Sequence, residues 1–275
     1  MDAVGVTHAL VLVAQVVAGL AWSDAPALWL RSYIELALGL CVSLVLLAST
    51  ADAAFSRFRR LQARAPPAKR VAEAVESCRA MFVFSGFAAW PRSLLALGRP
   101  TALRWTLASA QPEAPSSLAL YALKLLFVTL LVDLYMYAKH RALHSRSLFK
   151  YHKQHHAFVN PTPFAAFAVA PVEAALTFAP VLALCLPEAP VWAAAYAVWT
   201  TGFVLLNMYL HAGVVVPALE ALRVTGLNTS GFHNWHHECG GRENFGELLY
   251  VWDYLLATGD HPQRDGPRDE KQRSS

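Results

Sequence analysis

The 275-residue sequence predicts an all-α fold, a polytopic bundle of about four to six membrane spans whose histidine-rich helical cap at one end holds two metal ions. Three observations lead there. Hydrophobic residues make up 56% of the chain and charged residues only 15%, against about 45–50% and about 25% in an ordinary globular domain. The excess apolar residues gather into stretches long enough to cross about 30 Å of hydrocarbon as helices. Nine of the eleven histidines fall between His140 and His237.

The elements follow in chain order. Residues 3–23 carry no formal charge and have an apolar body from Ala9 to Trp22. The basic start of a cleaved signal peptide is missing, so this stretch is expected to be a retained span. A second span is expected over 33–55, with Glu35 and Asp52 near its ends. Residues 80–97 are weaker, interrupted by Pro91 and Arg92, and read either as a kinked span or as an interfacial segment. Residues 116–138 form a better span despite Lys124 and Asp133. The stretches 164–186 and 190–210 then make a hairpin around Pro187-Glu188-Ala189-Pro190, a turn that cannot continue a helix.

Charge sets the orientation. The loop after the second span carries Arg57, Arg59, Arg60, Arg64, Lys69 and Arg70 without an acid, and the segment after 116–138 carries Lys139, Arg141, Arg146, Lys150 and Lys153 without one. Both are expected in the cytosol by the positive-inside rule. The loops left on the far side balance Asp24, Glu113 and Glu188 against Arg31, Arg99 and Arg104. Asn228-Thr229-Ser230 matches a glycosylation sequon but falls on the cytosolic side, so it is expected to stay unmodified. The net charge of +4 therefore reads as membrane topology rather than nucleic-acid binding. Cys41, Cys78, Cys185 and Cys239 show no C-x-x-C spacing, and no disulfide framework is implied. Disorder, a collagen-like repeat and a small secreted disulfide fold are excluded for the body of the chain.

The chemistry lies in three clusters, His140-x-x-x-His144, His152-x-x-His155-His156 and His233-x-x-His236-His237. Positions i, i+3 and i+4 share a helix face, so each cluster is expected to aim its imidazoles at one spot, as transition-metal binding requires. At this histidine frequency a given site matches H-x-x-H-H about six times in a hundred thousand, so two copies are not accidental. His211 shares a face with Asn207 at the end of a span and is expected as a ninth ligand. Nine imidazoles exceed what one ion holds, so two ions are expected; a structural zinc site needs only about four ligands. Neutral ligands leave the ions their full charge, which suits binding and reducing dioxygen. His8 and His261 are isolated and read as bland, and Cys239 as a bystander. Asp133 lies on one helical stripe with Tyr137, His140 and His144. It is expected either to accept a ring N–H or to pair with Lys139. Glu173 is the sole charge in 164–186 and is a functional candidate by default. Asp253, downstream of the third cluster in Asn244-Phe-Gly246 to Trp252-Asp253, is a supporting carboxylate or a cap.

These motifs and their spacing resemble the fatty acid hydroxylase/sterol desaturase superfamily over about residues 116–259. The first two boxes are separated by too few residues to fit the acyl-chain desaturases. The resemblance implies a catalytic domain at 116–259, after an N-terminal membrane region at 1–115 and before a disordered polar tail at 260–275. It implies a non-haem di-iron centre, with His140, His144, His152, His155, His156, His233, His236 and His237 as ligands and His211 filling a usual further place. It also implies dioxygen as oxidant, electrons from NADPH through a reductase and a haem cytochrome, and the endoplasmic-reticulum membrane. The implied activity is hydroxylation or desaturation of an unactivated C–H bond in a sterol or a fatty-acyl or sphingoid chain. Ala257-Thr258 stands where the family closes on Gly-Thr, and Ala170 precedes Pro171-Val172-Glu173 where a histidine is frequent. The rival readings are a membrane metal-binding or transport protein, which predicts ligands strung along a path across the bilayer, and an inactive relative with a structural role.

Overall fold

A computed structural model describes residues 3–63, 65–110 and 118–259. Arg64, Glu113, His261 and the expected tail at 260–275 lie outside the described residues. The fold is a helical bundle built from α1 (Ala3–Trp22), α2 (Pro26–Phe55), α3 (Pro67–Ala96), α4 (Leu118–Leu143), α5 (Lys153–His156), α6 (Pro171–Phe178), α7 (Ala193–Leu210), α8 (Pro217–Ala221), α9 (Ser230–Glu238) and α10 (Val251–Leu255). Among the described residues four helices are long and apolar enough to cross a membrane: Gly5–Trp22, Pro26–Phe55, Ala119–Leu143 and Ala193–Leu210.

Two segments depart from expectation. α2 starts at Pro26 rather than near residue 33, because proline at the first helical turn lacks a donor the helix does not need. α3 runs unbroken through Pro91 and begins at Pro67. Its polar first half, with Lys69, Glu73, Glu76 and Ser77, is folded because it has partners. Lys69 donates to the carbonyls of Val159 and Asn160, Thr162 to Glu73, Gln154 to Glu76, and Ser77 Oγ to Phe164 O at 2.6 Å. The half of the chain without motifs thus grips the segment after the second histidine cluster.

The stretch 164–186 is not the single helix expected. It is a 3-10 turn at Pro163–Ala165, then the eight residues of α6, then seven residues of 3-10 helix at Ala179–Cys185. Pro171 opens α6, and Pro180 removes the amide that would carry it further. The stretch rises more per residue in its tighter 3-10 turns: eight residues at about 1.5 Å and seven at about 2.0 Å give about 26 Å, short of about 30 Å of hydrocarbon. Its far end is tied where Ala102 N donates to Leu184 O at 2.8 Å and Arg104 to Pro187 O at 2.9 Å. There Leu103–Arg104 pairs in parallel with Val191–Trp192. At the histidine end Arg59–Arg60 pairs antiparallel with Val214–Val215, fixing the ends of α2 and α7 together.

The interior is made of small residues. Ala48, Ala80, Ala166 and Ala174 pack with Leu44, Met81, Val83, Phe167 and Met208, which lets the helices approach closely. A Cβ at Gly19 would overlap the indole of Trp29, so the close approach of α1 to α2 at this point needs that glycine. Large apolar side chains such as Leu10, Leu38, Leu46, Leu123 and Phe127 face outward, the arrangement of a surface solvated by lipid. All four cysteines are free.

Candidate metal centre

The last turn of α4 presents His140, and His144 follows directly after its end. His152, His155 and His156 come from the short α5 and its preceding residue, His211 caps the end of α7, and α9 carries His233, His236 and His237. Thr229 starts α9 by accepting Phe232 N on its hydroxyl, a side-chain cap that satisfies one orphan amide. Asn228, beside it, is 1% exposed and donates Nδ2 to Gly246 O at 2.7 Å. That amide is committed to the fold, a reason independent of topology for the sequon to stay unmodified.

The nine rings form two groups, each with one ligand atom per ring within 4.8 Å of the others: His140, His144, His152, His156 and His236; and His155, His211, His233 and His237. This corrects the expectation that each cluster points at a single spot. Within each H-x-x-H-H the i, i+4 pair serves one group and the middle histidine the other, because i+3 and i+4 differ by about 100° around a helix. Cys239 belongs to neither group; its thiol lies 3.6 Å from His236 O. His8 stays apart on α1.

The outward nitrogens settle which atoms face inward. Nδ1 donates from His140 to Phe245 O at 2.8 Å, from His155 to Ala168 O at 3.3 Å, from His211 to Asn207 O at 2.8 Å and from His236 to Glu243 O at 2.6 Å. His152 Nδ1 pairs with Glu173 Oε2 at 2.7 Å. Oxygen in these positions accepts, so each Nδ1 holds the proton and each Nε2 offers a lone pair. Yet His155 Nε2 and His211 Nε2 are 3.3 Å apart. Lone pair facing lone pair is unfavourable without a cation between them. A divalent ion about 2.1 Å from each nitrogen sets neighbouring ligand nitrogens about 3.0 Å apart at right angles and about 3.4 Å apart at the tetrahedral angle. The buried Nε2 atoms of His140 and His236 have no protein partner. The residues present fit two ions.

Burial keeps these imidazoles neutral. Desolvation, then the neighbouring His236, lowers His144 to about 3; desolvation lowers His156 to about 2 and His211 to about 4. His152, His155, His233 and His237 are pushed well below the usual value, first by burial and then by one another. Neutral imidazole is the form that ligates metal.

The three carboxylates have different places. Glu173 holds the His152 ring. Asp133 does not touch a ring, nor does it pair with Lys139: it accepts Leu248 N, Leu249 N and Trp252 Nε1, at 3.1, 3.3 and 2.7 Å. That pins the chain before α10 against α4. Asp253 accepts Phe245 N at 2.9 Å, Gly246 N at 2.6 Å and Thr258 Oγ1 at 2.8 Å. It thereby shapes the turn whose Phe245 carbonyl holds His140, acting through backbone. Lys139 pairs instead with Glu247 at 3.0 Å. Sequence reasoning missed the carbonyls of Phe245, Ala168 and Glu243, which carry no residue-type signal. It also missed Gly241, at φ 72°, where a Cβ would overlap the His144 ring; the Gly240-Gly241 pair just after the third cluster was the available sign.

With this geometry in hand, the site is a pair of adjacent buried histidine groups, each able to hold a metal ion, in a helical protein with candidate membrane spans, and the comparisons agree. Residues 125–258 match the fatty acid hydroxylase family. It is 30% identical over 131 residues to methylsterol monooxygenase 1 of Danio rerio, covering 46% of this chain and 43% of that protein. It is 32% identical over 158 residues to lathosterol oxidase of Rattus norvegicus (55% and 48%), and 27% over 139 residues to delta(7)-sterol 5(6)-desaturase of Leptosphaeria maculans (48% and 36%). The chain thus spans under half the length of these relatives. No solved structure matches it. These relatives are named as sterol oxidoreductases.

Proposed function

We propose that this protein is a membrane di-iron oxygenase that hydroxylates, or desaturates, an unactivated C–H bond of a sterol or long-chain lipid, using dioxygen and two electrons. The observation that carries the reading is the inward convergence of nine neutral imidazoles into adjacent groups of five and four, with the Nε2 lone pairs of His155 and His211 facing each other. His140, His144, His152, His156 and His236 would hold one iron, and His155, His211, His233 and His237 the other. Bound iron would supply the activation of dioxygen.

The chain's own contribution is positioning and the exclusion of water. Glu173 fixes the tautomer and angle of His152, and Asp253 holds the Phe245 turn against His140. The Phe245 ring lies 5.3 Å from His144 and 5.7 Å from His236, covering the five-histidine group with apolar surface. A cavity beside the rings is walled by Phe167, Phe203 and Leu210, which suits a lipid better than a water-soluble substrate. The catalytic unit at 116–259, the cytosolic placement of the histidines in the endoplasmic-reticulum membrane, and electrons from NADPH through a reductase and a haem cytochrome belong to the same reading. The basic loops at the histidine end support the placement. Ligands gathered at one end of the bundle, rather than along it, speak against a metal transporter.

The test is metal analysis of the purified protein together with mass-spectrometric lipid profiling of cells with and without it. Two irons per chain are expected, and a lipid gaining one oxygen or losing two hydrogens. A metal-free protein with an unchanged lipid profile would sink the proposal.

A further inference from the structure

The cavity beside the histidines has a polar wall that metal binding does not use. Lys139 Nζ donates to Thr177 Oγ1 at 2.9 Å and sits 3.0 Å from Glu247 Oε1, with side-chain exposures of 5% for Lys139 and 15% for Glu247. All three residues line the cavity, together with Phe167, Phe203 and Leu210. A buried ion pair in a lipid-facing bundle is a costly way to join two elements, since apolar residues of the same volume hold them as well or better. Its position on a cavity wall gives it a second use.

The chemistry of the wall selects the guest. An ammonium has three N–H donors, and Thr177 and Glu247 take two, leaving one for the cavity. The Glu247 carboxylate keeps spare acceptor capacity. A hydroxyl meets both needs at once, accepting from Lys139 and donating to Glu247, without adding charge. A carboxylate could accept from Lys139 but has no proton to donate to Glu247. An amine would face Lys139. The cavity measures about 40 Å³, against about 10–15 Å³ for one water on the same measure, so what enters it is a head group and not a whole lipid.

We infer that Lys139, Glu247 and Thr177 form the recognition site for the hydroxyl of a neutral lipid alcohol, which sets the hydroxyl-bearing carbon beside His140 and His152. The inference rests on the reading of this cavity as the substrate site, and it narrows that reading: the oxidised carbon lies within a few bonds of the alcohol carbon, not far down a chain.

The experiment is equilibrium binding to the purified, iron-loaded full chain of two matched pairs, lathosterol with its 3-O-methyl ether and octadecan-1-ol with its methyl ether. In at least one pair the alcohol is expected to bind about tenfold more tightly than the ether, the loss typical of a hydrogen bond left unmade. In K139M/E247L, with iron content matching the wild type, the ratio is expected to fall to about threefold or less. If that variant loses iron, E247Q keeps the shape and is expected to narrow the ratio in the same direction. Equal binding of alcohol and ether, no binding of either alcohol, or a ratio unchanged in the variants overturns the inference and leaves the pair as a structural tie. Alcohol preference without lipid-dependent oxygen consumption would instead sink the oxygenase reading alone.

Discussion

The two histidine groups are built from the same motifs but are not equivalent. The five-membered group includes His144 and His156, which are only partly buried, while all four members of the other are buried. An octahedral ion with five imidazoles keeps one place free, and one with four keeps two. His155, His211 and His233 of the smaller group line the cavity, as do His140 and His152 of the larger. The difference teaches that both groups face the substrate space but the smaller has fewer ligands to spare, so it is the one whose loss of a histidine should matter most.

Removing a ligand from each group is the hardest test of that contrast. His211→Ala leaves three imidazoles where four stood, and is expected to release that iron and cut turnover by at least about 100-fold. His144→Ala leaves four in the larger group and is expected to retain more metal. Equal metal loss in the two variants, read by elemental analysis, would erase the distinction. Next in size is Glu173→Gln, which weakens the hold on His152 and is expected to lower iron affinity or activity about 10–100-fold. Asp133→Asn, which anchors the 248–252 segment rather than a ring, is expected to cost about 1–3 kcal/mol of stability with two irons still bound. A Tm scan paired with metal analysis separates these two carboxylates.

Gly241→Ala attacks the larger group alone. The backbone at φ 72° and the overlap with the His144 ring together are expected to cost about 1–3 kcal/mol and to disturb His144, with the four-membered group intact by spectroscopy.

Acid gives the gentlest and most uniform effect. Histidine in the unfolded chain takes up a proton near pH 6.5, but the folded chain resists until about 4 at His211 and His236 and about 3 at His144. Between those limits the unfolded state binds more protons, so stability rises with pH. It is complete above about 6.5 and is lost as pH falls toward the folded values. A Tm that falls between pH 7.5 and pH 5 is expected; a flat profile would show that burial is not what keeps these rings neutral.

Much of the site is legible in the sequence because a histidine's ligand role depends on its side chain and its helical spacing. The nine residues brought together are the nine singled out, His211 included. Their division into groups was not legible, because it depends on where α4, α5, α7 and α9 point their faces. Glu173 could be picked out as a lone charge in an apolar stretch, but its partner His152 lies across the fold. Asp133 shows the limit of a helical stripe: it shares a face with His140, yet it spends its oxygens on amides 115 and 116 residues away. The break in 164–186 was written in Pro171 and Pro180, and the apolar composition masked it.

What the sequence determined by itself was the medium and the ligand chemistry, because hydropathy and imidazole spacing are properties of short stretches of chain. The tertiary structure decided which imidazoles share an ion, which oxygens hold them, and that Lys139 meets Glu247 at the cavity wall. Those outcomes depend on distances between residues up to about a hundred positions apart, and packing alone sets them.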